Sequence, residues 1–431
     1  MQRTLLPSSD ATRLMLARGV RAFGDGFVSL LLPLYLLALG FTPLQVGLVA
    51  TTTLFGSGLL TLLAGLHAWR FPTRALLLAA CALMGATGVG LAVLRDFWPL
   101  MLVAFVGTVN PSGGDVSVFL PLEHALLSRS VSDRERTAVF ARYSMVGTLS
   151  AAAGALCAGL PAWAAPALGA SQLTALQGMF LLYAGLAGIA ALVYRGLRAR
   201  QAQAEEEPRS ALGPSRRRVY MLAALFSLDA FGGGFIVQSL VALWLFQRFG
   251  LPLATAGSIF FWMGLLTALS YLVAARLSAR IGLVNTMVFT HLPSSLCLLA
   301  IPWCAELWQA VALLFVRSAL SQMDVPTRSS YVMAIVTPAE RAAAASVTAV
   351  PRSLAAAASP ALAGWLLGMS TFGWPLIAGG ATKIVYDLLL LAMFSRVRPP
   401  EEARLRRELS TPAHGRSASP APGAPRPLPP P

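Results

Sequence analysis

The sequence predicts an all-α membrane protein of about twelve transmembrane helices in two pseudo-symmetric six-helix bundles. Of its 431 residues 56% are hydrophobic and only 12% charged, where a soluble domain of ordinary composition carries about 25% charged residues. Apolar blocks recur along nearly the whole chain, each about 20 residues long, the span a helix needs to cross a ~30 Å hydrocarbon core. Arginine also collects in every second polar break.

Those breaks fall at about 39–43, 69–74, 95–97, 128–137, 164–174, 196–218, 247–251, 278–284, 303–306, 337–341, 369–374 and from 396 onward. Arg70 with Arg74, Arg129 with Arg134 and Arg136, Arg195 through Arg218, Arg276 with Arg280, Arg341, and Arg396 through Arg407 occupy alternate breaks; the others hold only Arg95 and Arg248. Basic residues favour cytoplasmic loops, so the pattern places both termini in the cytoplasm of a multi-pass cell-membrane protein. Topology thereby accounts for the net charge of +15 without a nucleic-acid partner. The first apolar run is long enough to span and serves as its own insertion signal. Cys81, Cys157, Cys297 and Cys304 lie in or beside predicted spans with no CxxC pair. They read as small buried hydrophobes rather than disulfides or metal ligands.

Residues 1–11 form a cytoplasmic start, 12–195 and 219–395 the two bundles, and 196–218 a charged cytoplasmic linker. The tail 396–431, rich in Pro, Ala and Ser, cannot bury a core and is expected to be disordered. The halves echo each other. GFTPLQVG at 40–47 matches GLPLATAG at 250–257, GLHAWRFPTR at 65–74 matches ARLSARIGLV at 275–284, and ERTAVF at 135–140 matches ERAAAA at 340–345. Matches in the same order in both halves point to duplication, an architecture that places a binding site near the midplane between repeats.

On these residues the chain resembles the major facilitator superfamily from about residue 12 to 395. The family's loop after the second helix carries Gly-x-Leu-Ala-Asp-Arg-x-Gly-Arg-Arg. Gly65, Arg70 and Arg74 match it, with Trp69 at the Asp position and Pro72 at the second Gly. The second copy keeps Leu277, Arg280 and Gly282, with Ala279 at the Asp position. A Gly-Pro-x-x-Gly-Gly pattern in the fifth helix marks the family's proton-driven antiporters. It is degenerate here as Gly154 through Gly159, and as Ser359 through Gly364 in the eleventh helix. The resemblance implies a monomeric secondary active transporter of a small organic solute, embedded in the lipid bilayer. It works by alternating access with no bound cofactor and is driven by a proton gradient, with proton antiport and efflux as the leading direction.

Ionisable residues inside a span cost about 2.5–3.5 kcal/mol each on insertion scales and mark cavities or partners. In the first span Arg21 and Asp25 are four apart, so they share a face and can pair; Gly24 and Gly26 leave the carboxylate approachable. In the fourth, Asn110-Pro111 and Gly113-Gly114 predict irregular backbone around Asp115, with Glu123 beyond. Asp25 and Asp115 are the proton-coupling candidates. In the tenth, read as one continuous helix, Arg317, Ser321, Asp324 and Arg328 fall on one narrow face that should meet the cavity or a neighbour. By the repeat, Glu123 stands opposite Arg328. Asp229, Gln238 and Arg352 complete the cavity candidates, while Lys383 and Asp387, four apart in the last span, read as a structural ion pair.

Two alternatives share the fold. Arg317, Arg328 and Arg352 could hold the carboxylate or phosphate of an anionic metabolite, because arginine binds such groups bidentately; or the chain could be a sensor that does not transport. An enzyme or ATP-driven pump is disfavoured: His67, His124, His291 and His414 form no HxxxH or HExxH cluster, and no Walker A pattern occurs.

Overall fold

The computed structural model describes residues 9–67, 71–112, 117–129, 133–197, 213–337, 340–395 and 397. Lipid offers backbone groups no hydrogen bonds, so each crossing segment must satisfy its own, and the described residues fold as helices. The first half comprises α1 (Ser9–Ala38), α2 (Pro43–His67), α3 (Thr73–Val93), α4 (Phe97–Val106), α5 (Phe119–Arg129), α6 (Asp133–Cys157), α7 (Leu160–Ala167) and α8 (Gln172–Arg195). The second comprises α9 (Arg216–Gly234), α10 (Gln238–Phe249), α11 (Leu253–Ile281), α12 (Leu283–Ala300), α13 (Leu307–Leu320), α14 (Asp324–Ile335), α15 (Arg341–Met369) and α16 (Trp374–Phe394). Nine stretches among the described residues are long and apolar enough to cross a membrane. The other three expected spans correspond to α4 with α5, α13 with α14, and α15. Helix starts at Ser9 and Arg216 lie a few residues before the expected bundle boundaries.

Besides the short gap between α6 and α7, three divisions interrupt expected spans. Between α4 and α5, Asn110 Oδ1 accepts hydrogen bonds from the Ser112 N–H (3.1 Å) and hydroxyl (2.6 Å), turning the chain as the asparagine predicts. Between α9 and α10 the break follows the run Gly232-Gly233-Gly234. The third corrects the sequence reading. The tenth span is not continuous but divides at Ser321–Met323, because Pro326 has no N–H to donate to the carbonyl four residues back and is tolerated only in a helix's first turn. Gly282, at φ +89°, separates α11 from α12, a conformation that costs a residue with a Cβ.

Where the core sits decides what the molecule can do. One hydrophobic cluster joins both halves, from Phe27, Leu31 and Tyr35 of α1 to Val241 and Trp244 of α10, Ala256 of α11 and Leu367 of α15. The halves' other clusters are separate: Leu14, Leu77 and Tyr143 in the first, Val219, Tyr331 and Phe394 in the second. The shared core lies toward the end bearing the 39–42, 168–171 and 250–252 connections; the separate cores lie toward the end where α1 starts and α16 finishes. At the shared end the backbones nearly touch. A Cβ on Gly47 would collide with the Pro360 carbonyl, and one on Gly257 with that of Ala155, the close approach that small residues permit between membrane helices. Trp98, Trp163, Trp303 and Trp308 stand exposed near this end, as interfacial tryptophans do.

Candidate functional site

A cavity of about 280 Å³ lies between the halves, below the shared core. Its wall includes Arg18, Ala22 and Asp25 of α1, Thr148 and Ala152 of α6, Gln238 and Val241 of α10, Phe260, Met263 and Tyr271 of α11, Arg317 and Ser318 of α13, and Lys383 of α16. Arg18, Ala22 and Asp25 form one stripe of α1, as the 3.6-residue period dictates. Arg21 lies at its edge and turns into the first half. Asp25 therefore does not pair with Arg21 as expected; it accepts a hydrogen bond from the Tyr183 hydroxyl at 3.3 Å. Gln238 stands where α10 begins and donates from Nε2 to Ser29 Oγ across the halves at 3.0 Å.

Arg317 differs from the other buried cations. Its Nε has neither solvent nor a hydrogen-bond partner, as is also true of Arg328 Nε, but unlike Arg328 it has no ion-pair partner among the described residues. Leaving such a donor unsatisfied costs about 1–3 kcal/mol, more for a charged group. A feature that costs stability points to a ligand that supplies the acceptor.

Among the described residues, the intramembrane ion pairs form inside each half. In the first, Arg21 and Glu123 form an ion pair; Glu123 also accepts from the hydroxyls of Tyr194 (2.6 Å) and Tyr143, and the guanidinium of Arg21 lies over the Phe119 ring at 3.8 Å. In the second, Asp229 accepts from Arg328 (2.8 Å) and Lys383 (2.6 Å), and Arg328 also pairs with Asp324. His291 Nδ1 lies 2.9 Å and 3.0 Å from the two oxygens of Asp387. Its Nε2 lies 3.4 Å from Lys383 Nζ and 3.6 Å from Asp229 Oδ1.

Several expected placements change in consequence. Because α13 and α14 are separate helices, Arg317 faces the cavity while Asp324 and Arg328 turn into the second half. Arg21, Glu123, Asp229, Asp324 and Arg328 are buried partners rather than cavity wall. Lys383 and Asp387 do not pair with each other: Asp229 sits nearer the ammonium, and His291 claims Asp387. Asn110 organises its turn and leaves the wall to Ser112. Arg352 is exposed on α15 and is not among the lining residues. Asp115 and Arg70 lie outside the described residues; Gly65 lies in the last turn of α2, Arg74 in the first turn of α3 and the exposed Arg280 in the last turn of α11. Gly154 and Gly159 are accounted for by packing. A Cβ on the first would strike the Phe23 carbonyl, and one on the second would lie 2.9 Å from Ala254 Cα.

Sequence reasoning missed Arg18, the three tyrosines and His291. The repeat held one further signal. Ala-Phe-Gly-Asp-Gly-Phe at 22–27 matches Ala-Phe-Gly-Gly-Gly-Phe at 230–235, which sets Arg21 against Asp229 just as Glu123 stands against Arg328.

A profile of the Major Facilitator Superfamily matches residues 14–241 and again 222–428. A relative from Saccharomyces cerevisiae, the uncharacterized membrane protein YJR124C, is 24% identical over 439 residues, covering 94% of this chain and 97% of its own. Among solved structures, the nucleoside transporter NupG superposes with a TM-score of 0.69 at 15% identity, over 89% of this chain and 99% of that one. The D-xylose–proton symporter gives 0.69 at 13%, over 88% and 96%, and the human organic anion transporter MFSD10 0.62 at 17%, over 89% and 100%. These structures share the fold, and the profile spans nearly the whole sequence: the chain belongs to the Major Facilitator Superfamily.

Proposed function

We propose that the protein is a secondary active transporter that carries a small organic anion across a membrane by alternating access. The cavity between two halves that share a core at only one end supports the alternating-access part. Closure there and separation toward the other end is one of the two states such a carrier needs, with both termini taken as cytoplasmic and the site contained in a single chain. The anionic cargo rests on Arg317. Lys383 is already neutralised by Asp229, whereas Arg317 brings to the wall a positive charge that no carboxylate among the described residues answers; a carboxylate or phosphate would complete it bidentately. Phe260, Met263 and Tyr271 offer an apolar and aromatic face for the body of the solute, the mixed lining usual for small-molecule sites. The similar solved proteins are named as carriers of nucleosides, of D-xylose with protons and of organic anions, so the choice of cargo rests on this chemistry and not on the fold.

The test is flux into proteoliposomes of charged and neutral solutes of matched shape, benzoate with benzamide and glucose 6-phosphate with glucose. The charged member of a pair should move faster, and Arg317→Gln should abolish that preference at least tenfold while leaving the protein folded. Equal flux of both members, or an unchanged preference in Arg317→Gln, contradicts the anionic cargo.

A second reading is proton-driven efflux with Asp25 as the coupling acid. Its support is the position of Asp25 on the cavity wall, held by only one long hydrogen bond. Under an imposed pH gradient, Asp25→Asn should then uncouple flux from the gradient. Unchanged coupling removes Asp25 from that role.

A further inference from the structure

Lys383 is the sole lysine of the chain; every other basic residue among its 33 is arginine. It sits where a guanidinium would serve poorly. An ammonium is a compact point charge on a flexible stem that can leave one partner for another, whereas a guanidinium is a rigid fork. Lys383 is also the one member of the second half's charge cluster on the cavity wall. Gly233, on the same wall, has no side chain to screen it; a Cβ there would lie 3.8 Å from Nζ.

Behind Lys383 stands His291, buried with both ring nitrogens committed. An ionised Asp387 can only accept, so Nδ1 carries a hydrogen and donates to it. In the neutral ring Nε2 then holds a lone pair facing the Lys383 ammonium at 3.4 Å. Asp229 Oδ1 is within reach of both cations, 2.6 Å from Nζ and 3.6 Å from Nε2. The charged and titratable groups around the imidazole are Asp387, Lys383 and Tyr386 from α16 and Asp229 from α9. Behind Asp229 stand Arg328 and Asp324 from α14, with Arg352 of α15 adding a more distant positive field. Among the described residues, Asp229 and Asp324 meet the cations Arg328 and Lys383 at contact distance, and Asp387 meets His291. One more positive charge balances that inner group.

We propose that His291 is a proton-binding site that controls Lys383. A proton taken from water onto Nε2 makes an imidazolium whose Nε2–H donates to Asp229 Oδ1, and Lys383 is released from that oxygen into the cavity. The freed ammonium joins Arg317 in offering positive charge to an anionic group. Proton and anion thus bind together, each tightening the other, which makes the coupling a symport of one proton with the anion. This last consequence rests on the anionic cargo proposed above; the exchange at Asp229 does not.

Because the chain has one lysine, the full-length protein labelled with [13Cε]lysine gives a single lysine side-chain resonance. That resonance should move through one transition as the pH is lowered, in step with protonation of the imidazole. With His67, His124 and His414 replaced by Gln, the 15N signal of the one remaining imidazole Nε2 should change from acceptor to N–H type over the same interval. His291→Gln should leave the lysine resonance flat. A resonance that does not move in the wild type overturns the proposal, as does a lysine transition without the imidazole change or one that survives in His291→Gln. The lysine and single-histidine measurements decide the matter even if His291→Gln does not fold. The titration needs no cargo, so its failure leaves the transporter reading standing. Conversely, absent flux beside an intact titration would sink the transporter and spare the proton site.

Discussion

The two halves hold their buried charges in opposite polarity. In the first, α1 contributes the cation Arg21 and α5 the carboxylate Glu123; at the matching positions of the second, α9 contributes the carboxylate Asp229 and α14 the cation Arg328. Duplication preserved the link between the same two spans, and an ion pair is indifferent to which side supplies which charge. The surroundings then diverged. Glu123 faces one cation and two tyrosine hydroxyls, a closed arrangement with nothing to exchange. Asp229 faces two cations and a histidine, so it can trade one for another. A single pair fastens helices; a carboxylate with competing partners can switch.

That contrast predicts a ranking. Glu123→Ala strands a buried guanidinium and two hydroxyls, and should cost about 3–5 kcal/mol, the range for breaking a buried pair. Asp324→Ala removes one of two carboxylates from Arg328, which keeps Asp229, and should cost about 1.5–3 kcal/mol. Thermal unfolding of both variants in the same detergent checks the order, and equal losses would erase the distinction between fastening and switching. At the shared end, Gly47→Val drives side-chain atoms into the α15 backbone and should cost about 1–3 kcal/mol, as overpacking does, with loss of flux. Gly178, where a Cβ would meet nothing within 4 Å, accepts Ala with a gain of about 0.5–1 kcal/mol. Of similar size, Tyr183→Phe removes the bonds to Asp25 and to the Thr108 carbonyl and should cost about 0.5–1.5 kcal/mol.

The smallest effect lies outside the membrane, where Glu340 joins the start of α15 to residues 213–215. Hydrogen bonds from the Thr337 hydroxyl and from Ser215, with the Gly213 N–H, hold its carboxyl down at about 2. A depressed carboxyl stabilises the fold above its ordinary titration range and loses that contribution as pH falls toward about 2. The melting temperatures of wild type and Glu340→Gln should therefore differ at neutral pH and converge as the medium is acidified through that interval. A constant difference would assign the effect to something other than the carboxylate.

The helices were largely legible because lipid imposes one rule, about 20 apolar residues between polar breaks, and the arginines mark the breaks. The two-half arrangement was legible in the GFTPLQVG and ERTAVF repeats. The site was less so, for two physical reasons. A helical wheel assumes a continuous helix, and Pro326 ended that assumption between Arg317 and Asp324, sending residues of one expected face to two destinations. Pairing by sequence spacing favours i and i+4 neighbours, but Lys383 found Asp229 and Arg21 found Glu123 on other helices, at separations no local rule encodes. His291 carried no motif at all; only the fold sets it between Asp387 and Lys383.

Alternating access requires the shared end to open for solute to pass. The Ala361 N–H of α15 donates to Thr51 Oγ1 of α2 there at 2.9 Å, so a pair of cysteines at these two positions, in a chain whose four native cysteines are replaced, would bridge the halves. Benzoate flux should cease when the bridge is oxidised and return when it is reduced. Equal flux in both states would mean that this end does not open during transport, and alternating access about this cavity would be wrong.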